Sequence, residues 1–244
     1  MSPLTSGLTA GLGTAAALGL AAGAYAYASL YPTSRIFGAA LIAPNNPKEL
    51  ALTFDDGPNP AFTPQLLDIL AAHRIPATFF LLGRHAAAQP ALVQRIAAAG
   101  HLIGNHSYTH PSLARSSAKR IREELTQTRD TIEQITGAPQ KFFRPPFGAR
   151  RPATFRIARE LGLTPVLWNA MTSDWKTLSG GRITASLVRK IDRLNRHGQA
   201  ANIVLHDSSH LDQAAFRAPS LGAAALLAMR YKPTHTFVRI DAWS

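Results

Sequence analysis

Cysteine is absent from the 244-residue chain. That excludes disulfides and thiolate metal sites, so any metal would have to be held by nitrogen and oxygen donors. Acidic residues are few, 14 Asp and Glu against 26 Lys and Arg, for a formal charge of +12. Such a balance suits anionic surroundings: lipid headgroups, cell-wall polymers or nucleic acid. The cations form no cluster, however. Arg120, Arg122 and Arg129 share one expected helix, Arg150 and Arg151 a turn, and Arg189, Lys190 and Arg193 another helix. No zinc-finger, RRM or other nucleic-acid signature accompanies them, so no nucleic-acid partner is expected. No internal repeat is visible, and nothing speaks to oligomeric state. The length suits one sizeable domain, α/β barrels included.

Charge of either sign is also missing from the first 34 residues. Within them, Leu8 to Tyr31 is an almost unbroken Ala, Gly and Leu stretch that as a helix would cover about 36 Å, enough to cross a bilayer core. Residues 1–34 are therefore expected to be an N-terminal transmembrane anchor or an uncleaved leader. A secretory leader cleaved at a small-residue site such as Ala24-Tyr25-Ala26 is the rival, and the missing basic n-region counts against it. Arg35 and Lys48, which follow the span, would hold the rest of the chain in the cytosol by the positive-inside rule, a vote of only two residues. Residues 35–47, with breakers Pro44, Asn45, Asn46 and Pro47, read as a linker to a domain over 48–244.

From Lys48 onward, short β-rich runs alternate with longer helical ones. Strands are expected at 50–55, 77–82, 102–105, 142–144, 165–169, 202–206 and 236–240. Helices are expected near 63–73, 90–99, 116–136, 152–161, 182–196 and 219–228, several with a glycine just past the end, as at Gly100, Gly137 and Gly162. Repeated strand–helix alternation means an α/β fold with a parallel sheet, closed as a barrel or doubly wound.

The unusual polar residues gather at the C-terminal ends of these strands. Asp55 and Asp56 end the first, in the stretch LTFDDGPN. His106 follows the third, Arg144 ends the fourth, Asp174 lies beyond the fifth, and His206 and Asp207 end the sixth. In a closed α/β barrel those ends share one mouth, where such folds place their active sites. Two adjacent carboxylates need a cation to offset their repulsion. His106 and His110, four residues apart, would join Asp56 in two nitrogens and one oxygen, the open set of a catalytic zinc. Asp55 is placed to take a proton from water whose pKa the metal has lowered. Strand alternation would point Asp55 and Asp56 to opposite faces, so the strand must end or twist there, as Gly57 and Pro58 suggest. Arg144 could orient Asp55. His206, its pKa raised by a carboxylate such as Asp174, would protonate a leaving group. His73, His85, His101, His197, His210 and His235 read as structural or surface residues, with His210 near enough to the mouth to touch substrate.

TFDDG at 53–57, HSYTH at 106–110, RPPFG at 144–148, DW at 174–175 and LH at 205–206 resemble, in order, the five motifs of the polysaccharide deacetylases, the NodB-homology or carbohydrate esterase 4 family. The resemblance runs from about Lys48 to the C-terminus. It implies a distorted (β/α)7-type barrel and metal-dependent removal of N-acetyl groups from N-acetylglucosamine polymers or oligosaccharides, of peptidoglycan or chitooligosaccharide type. The metal would be divalent, Zn2+ with Co2+ or Ni2+ as substitutes. By position, Asp55 becomes the general base, Asp56, His106 and His110 the metal ligands, Arg144 the base's orienting partner, His206 the general acid and Asp174 its tuning partner. Trp175 and Leu205 would receive the acetyl methyl, with Pro145 and Phe147 also at the substrate and the backbone N–H near Phe147 holding the oxyanion. Asn169 and Met171 stand where relatives are frequently acidic. An O-acetyl esterase of acetylxylan type uses the same machinery, and a non-catalytic carbohydrate-binding barrel would keep only the scaffold. The acetylated sugar partner suggests a membrane-anchored domain on the extracytoplasmic side, periplasm or cell wall. A cytosolic or lipid-linked oligosaccharide suits the opposite topology.

Overall fold

A computed structural model describes residues 19–176 and 179–244 of the chain. A helix over 19–30 (α1) comes first. It is followed by β1 (Glu49–Asp55), α2 (Thr63–His73), β2 (Thr78–Leu81), α3 (Gly83–Ala88), α4 (Pro90–Ala98) and β3 (Leu102–Asn105). Then come α5 (Ala118–Thr136), β4 (Phe142–Phe143), α6 (Pro152–Glu160), β5 (Thr164–Pro165) and β6 (Ala170–Met171). The chain ends with α7 (Gly180–Arg196), β7 (Ala201–His206), α8 (Ala218–Tyr231) and β8 (Thr236–Phe237). Every strand pair is parallel, in the order β5-β4-β3-β2-β1-β7-β6, with β8 also on β1. This is a parallel-sheet half-barrel with helices outside, consistent with a distorted (β/α)7 barrel.

Alternation along β1 builds both layers of the core. Leu50, Leu52 and Phe54 pack outward against residues such as Leu66, Leu70 and Leu227 of the helices. Ala51 points inward with Phe80, Phe142, Val166 and Ile240. Each large outward side chain contributes about 1.5–3 kcal/mol of burial free energy. Helix α5 shows how the sequence bounds an element. Ser117 caps its first turn by accepting the Arg120 N–H at 3.2 Å, and Gly137, at φ +70°, lets the chain leave it. Between them Ile121, Leu125, Thr128 and Ile132 recur at helical spacing and are buried.

The strand expected over 165–169 is split. Leu167 N–H donates to the Leu41 carbonyl, and Leu41 N–H to that of Pro165, so this run pairs with the segment before β1 between two short ladders. The segment expected to be a linker is woven into the domain. Besides Leu41, Pro44 accepts the Ala200 N–H and Ile42 accepts from the Asn202 amide.

The same holds further upstream. Arg150, 1% exposed, donates to the carbonyls of Tyr31 at 2.7 Å, Ser34 at 3.1 Å and Gly148 at 3.0 Å, and its own N–H reaches Ser29 at 3.0 Å. The C-terminal end of α1 thus docks on the barrel, with Ala28 and Ser29 buried. Among the described residues no helix is long and apolar enough to cross a membrane. The span expected over Leu8–Tyr31 finds no support there, and its part over 8–18 lies outside the described residues.

Candidate active site

Because all strands run in one direction, Asp55, His106, Arg144 and His206 reach the same edge of the sheet. Asp55 pairs with His206 across the β1–β7 ladder. The two adjacent carboxylates share this edge because Asp56 leaves the strand at φ +72°, in the left-handed region. Ser107, His110 and Phe147 are also left-handed, at φ 67°, 64° and 58°. Among the described residues, four of the five non-glycine residues in that region therefore sit at this mouth, the fifth being Arg74. Gly57 is required for closeness: a Cβ there would lie 2.6 Å from both Asp207 carboxylate oxygens.

Arg144 is fully buried beneath the mouth. Its Nη1 donates to Asp55 Oδ1 and to Thr53 Oγ1, both at 2.7 Å, Nη2 reaches Asn202 Oδ1 at 3.3 Å, and its guanidinium lies 4.1 Å from the Phe80 ring centroid. Burial pulls its pKa down from the ordinary arginine value, and the Asp55 carboxylate opposes that. Asp55 Oδ2, which Arg144 does not use, lies 3.9 Å from His106 Nε2.

Asp56 Oδ1 is buried and accepts no hydrogen bond, yet stands 3.5 Å from His106 Nε2 and 3.3 Å from His110 Nε2. One donor atom from each of the three side chains lies within 4.8 Å of the others. Burial keeps both imidazoles neutral, lowering His106 and, with the neighbouring His106, pushing His110 down to about 2. Burial would raise the Asp56 carboxyl, but His210, His206, His110 and His106 outweigh it and hold it well below the usual carboxylate range. Two neutral ring nitrogens and an orphaned carboxylate oxygen fit a divalent cation with coordination positions left for water. The set is held by its surroundings. His106 Nδ1 shares a hydrogen with the Arg144 carbonyl at 2.8 Å, and His85 does the same with the Asp56 carbonyl at 2.8 Å. Glu124 of α5 accepts the Tyr108 and Thr109 N–H groups, both at 2.7 Å, and so ties down the loop between the two histidines.

On the other side of the mouth, His206 Nδ1 and Asp174 Oδ1 are 2.8 Å apart, while Asp174 Oδ2 accepts the His206 N–H and the Ser220 hydroxyl, both at 2.8 Å. Asp174 is therefore supported by Ser220. Asn169 is occupied elsewhere, exchanging hydrogen bonds with Ala200 and Asn202. Burial alone would lower the His206 pKa, but Asp174, with Asp56 and Asp55 beyond it, raises it to about 9. Asp207, fully buried with Thr63 as its donor, is pushed by burial up to about 7.

A cavity of about 450 Å³ joins these groups, walled by Phe147, Trp168, Met171, Trp175, Val204 and His210. Nine of the eleven residues expected from the sequence line it or hydrogen-bond a residue that does; Leu205 and Pro145 do not. Leu205 is fully buried in the outward core with Phe54 and Ile203, and Val204 takes the wall position. The cause is strand alternation: His206 faces the mouth, so Val204 does too and Leu205 points away. Counting back two from His206 would have found it. Pro145 is likewise buried at the base of the turn that presents Phe147, and does not line the cavity.

The family model for polysaccharide deacetylases matches residues 43–166. The chain belongs to the polysaccharide deacetylase family. It is similar to a peptidoglycan-N-acetylglucosamine deacetylase of Bacillus cereus, 41% identical over 149 residues that make up 61% of this chain and 54% of that one. The chain thus spans about half the length of that relative. A chitooligosaccharide deacetylase of Bradyrhizobium sp. is 38% identical over 66% of this chain and 71% of its own. Among solved structures, a CE4 family pseudoenzyme from Bacillus anthracis superposes with a TM-score of 0.74 and 27% identity, covering 84% of this chain and 68% of that one. Since the polysaccharide deacetylase fold carries a pseudoenzyme too, function has to be read from the side chains at the mouth.

Proposed function

We propose that the protein is a metal-dependent hydrolase that removes the N-acetyl group from N-acetylglucosamine units of peptidoglycan or chitooligosaccharide type. The observation that carries this reading is the orphaned Asp56 Oδ1 facing two imidazole nitrogens, between the Asp55–Arg144 and His206–Asp174 pairs. Asp56, His106 and His110 would hold a divalent cation, zinc being the best match to this donor set, and the ion would supply Lewis acidity and lower the pKa of water. Asp55 takes the proton of the attacking water on Oδ2, while Arg144 holds the carboxylate in place through Oδ1. The N–H of Phe147, carried at the mouth on a left-handed turn, is the donor assigned to the oxyanion. His206 is charged below pH of about 9 and donates its Nε2 proton to the departing amine. Trp175, Trp168, Met171 and Val204 give the acetyl methyl an apolar seat.

The test is acetate release by the purified full chain from chitooligosaccharides, peptidoglycan and acetylxylan, with and without a chelator. Release from an N-acetylated substrate, abolished by the chelator and restored by zinc, is expected. Release from acetylxylan alone would make the protein an esterase, and metal binding without any release would leave a carbohydrate-binding barrel.

We further propose that the uncharged N-terminal segment tethers the domain to a membrane, with the site on the extracytoplasmic side. The lack of charge over the first 34 residues and the exposed Tyr25, Tyr27 and Tyr31 near the start of the barrel support the tether, and a peptidoglycan-type substrate supports the orientation, against the two-residue vote of Arg35 and Lys48. Fractionation with and without detergent, and a C-terminal reporter active only outside the cytosol, test the two halves of that proposal.

A further inference from the structure

The loop after β7 carries an imidazole for which the chemistry above has no use. His210 donates its backbone N–H to Asp56 Oδ2 at 3.3 Å, and its ring Nδ1 stands 3.7 Å from the same oxygen. Its ring lies flat on that of His110, with centroids 4.1 Å apart and planes 18° from parallel. Phe147 meets both rings edge-on, 4.4 Å from His110 and 5.4 Å from His210. The His210 carbonyl is held in turn by the Arg84 guanidinium.

Metal-binding histidines are generally oriented by a hydrogen bond from the ring nitrogen that does not face the ion. His106 follows that pattern through the Arg144 carbonyl. His110 does not: its Nδ1 is buried and has no hydrogen-bond partner. Some other contact must fix the plane of that ring: His106 meets it tilted, with centroids 5.1 Å apart, and the flat contact with His210, closed by the edge of Phe147, is closer. His210 also engages Asp56 through Oδ2, which leaves Oδ1 turned toward His106 and His110.

We infer that His210 is a positioning residue of the metal centre, setting the His110 ring plane by stacking rather than by contributing a ligand atom. Its Nδ1 faces the Asp56 oxygen that is turned away from the two ligand nitrogens. The inference rests on the metal-site reading but not on the identity of the substrate. The aromatic face does the work, so a flat ring without ligating nitrogens should replace it.

The experiment compares zinc affinity of the full-length wild type, His210→Phe and His210→Ala by competition with a chromogenic chelator. Matched thermal melts of the metal-free proteins serve as the folding control. His210→Phe is expected within about threefold of wild type, and His210→Ala about 10- to 100-fold weaker, the usual cost of losing a ligand's orienting partner. The visible absorption of the Co2+-loaded proteins should agree between wild type and His210→Phe and shift in His210→Ala. Wild-type affinity in His210→Ala would overturn the inference. So would a His210→Phe variant as weak as His210→Ala, because the nitrogen itself would then matter. A wild type that binds no zinc would remove the metal centre altogether, a failure distinct from either of these.

Discussion

His206 and Asp174 are joined twice: the imidazole Nδ1 lies 2.8 Å from one carboxylate oxygen, and the His206 backbone N–H donates to the other at 2.8 Å. The double contact fixes both the ring plane and the tautomer, leaving Nε2 for the cavity. Burial depresses the His206 pKa, and Asp174 is the main group that offsets it. In metal-free protein, NMR should place the His206 transition near 9, and Asp174→Asn should move it down, because only Asp56 and Asp55 then oppose burial. The alkaline limb of kcat/KM should fall by at least about one pH unit in the same variant. The folded-state value is the raised one, so the pair's contribution to stability is fully present below about pH 6.5 and is lost as pH rises toward 9.

Asp55 and Asp56 are neighbours in sequence with separable tasks, since Arg144 engages the first and the two histidines face the second. Asp55→Asn should cut acetate release by about 10²–10⁴-fold while zinc measured by dialysis stays near one equivalent per chain. Asp56→Asn should lose zinc and activity together. Zinc loss in Asp55→Asn of the size seen in Asp56→Asn would contradict this division.

Metal removal has a stability consequence as well as a catalytic one. A cation that binds only the folded chain stabilises it by about 2.7 kcal/mol at a hundredfold excess over its Kd. Chelation should therefore lower the melting temperature by several degrees, and zinc should restore it. Glu124 adds a sharper test, because its carboxylate holds two N–H groups of the loop between His106 and His110. Glu124→Ala should weaken zinc binding although Glu124 is not among the ligands.

Much of this site was legible because the chemistry-bearing residues end strands, and strand ends are among the clearest features of an α/β sequence. The motif around Asp55 and Asp56 even announced a break in alternation, which the left-handed Asp56 supplies. What escaped was set by tertiary contact. Ser220 supports Asp174 from α8, and Glu124 reaches the metal loop from α5; neither partnership has a local signature. Leu205 was misplaced although the period-2 rule applied to β7 would have exchanged it for Val204. The expected linker failed for another reason: Pro44, Asn46 and Pro47 break helices and strands, but they do not forbid packing against the sheet.

That exchange can be tested directly. Val204→Phe should fill the apolar seat beside Trp168 and Met171, lowering kcat/KM for N-acetylated substrates at least tenfold with little change in zinc affinity. Leu205→Val, in the outward core, should cost about 0.5–1.5 kcal/mol of stability and leave kcat/KM near wild type. The reverse pattern would put Leu205 back at the substrate.

Arg150 makes the strongest claim about where the domain begins. It is a buried guanidinium without a carboxylate partner among the described residues, and it is compensated by the carbonyls of Tyr31, Ser34 and Gly148. Burial lowers its pKa, and the carbonyl end of α1 offers the partial negative charge that offsets the loss of water. Gly148 in this group follows Phe147 directly, so the brace from the N-terminal segment ends at the turn that lines the cavity. A chain begun at Lys48 keeps the five motifs yet strips that cation of the Tyr31 and Ser34 carbonyls, and it also loses the contacts of Leu41, Ile42 and Pro44. Charged hydrogen bonds of this kind are worth about 1.5–3 kcal/mol each. The truncated chain should therefore melt at least about 5 °C below the full one, and Arg150→Met should show part of that loss. A truncation at Lys48 with unchanged melting temperature and kcat/KM would show that the upstream segment is only a tether.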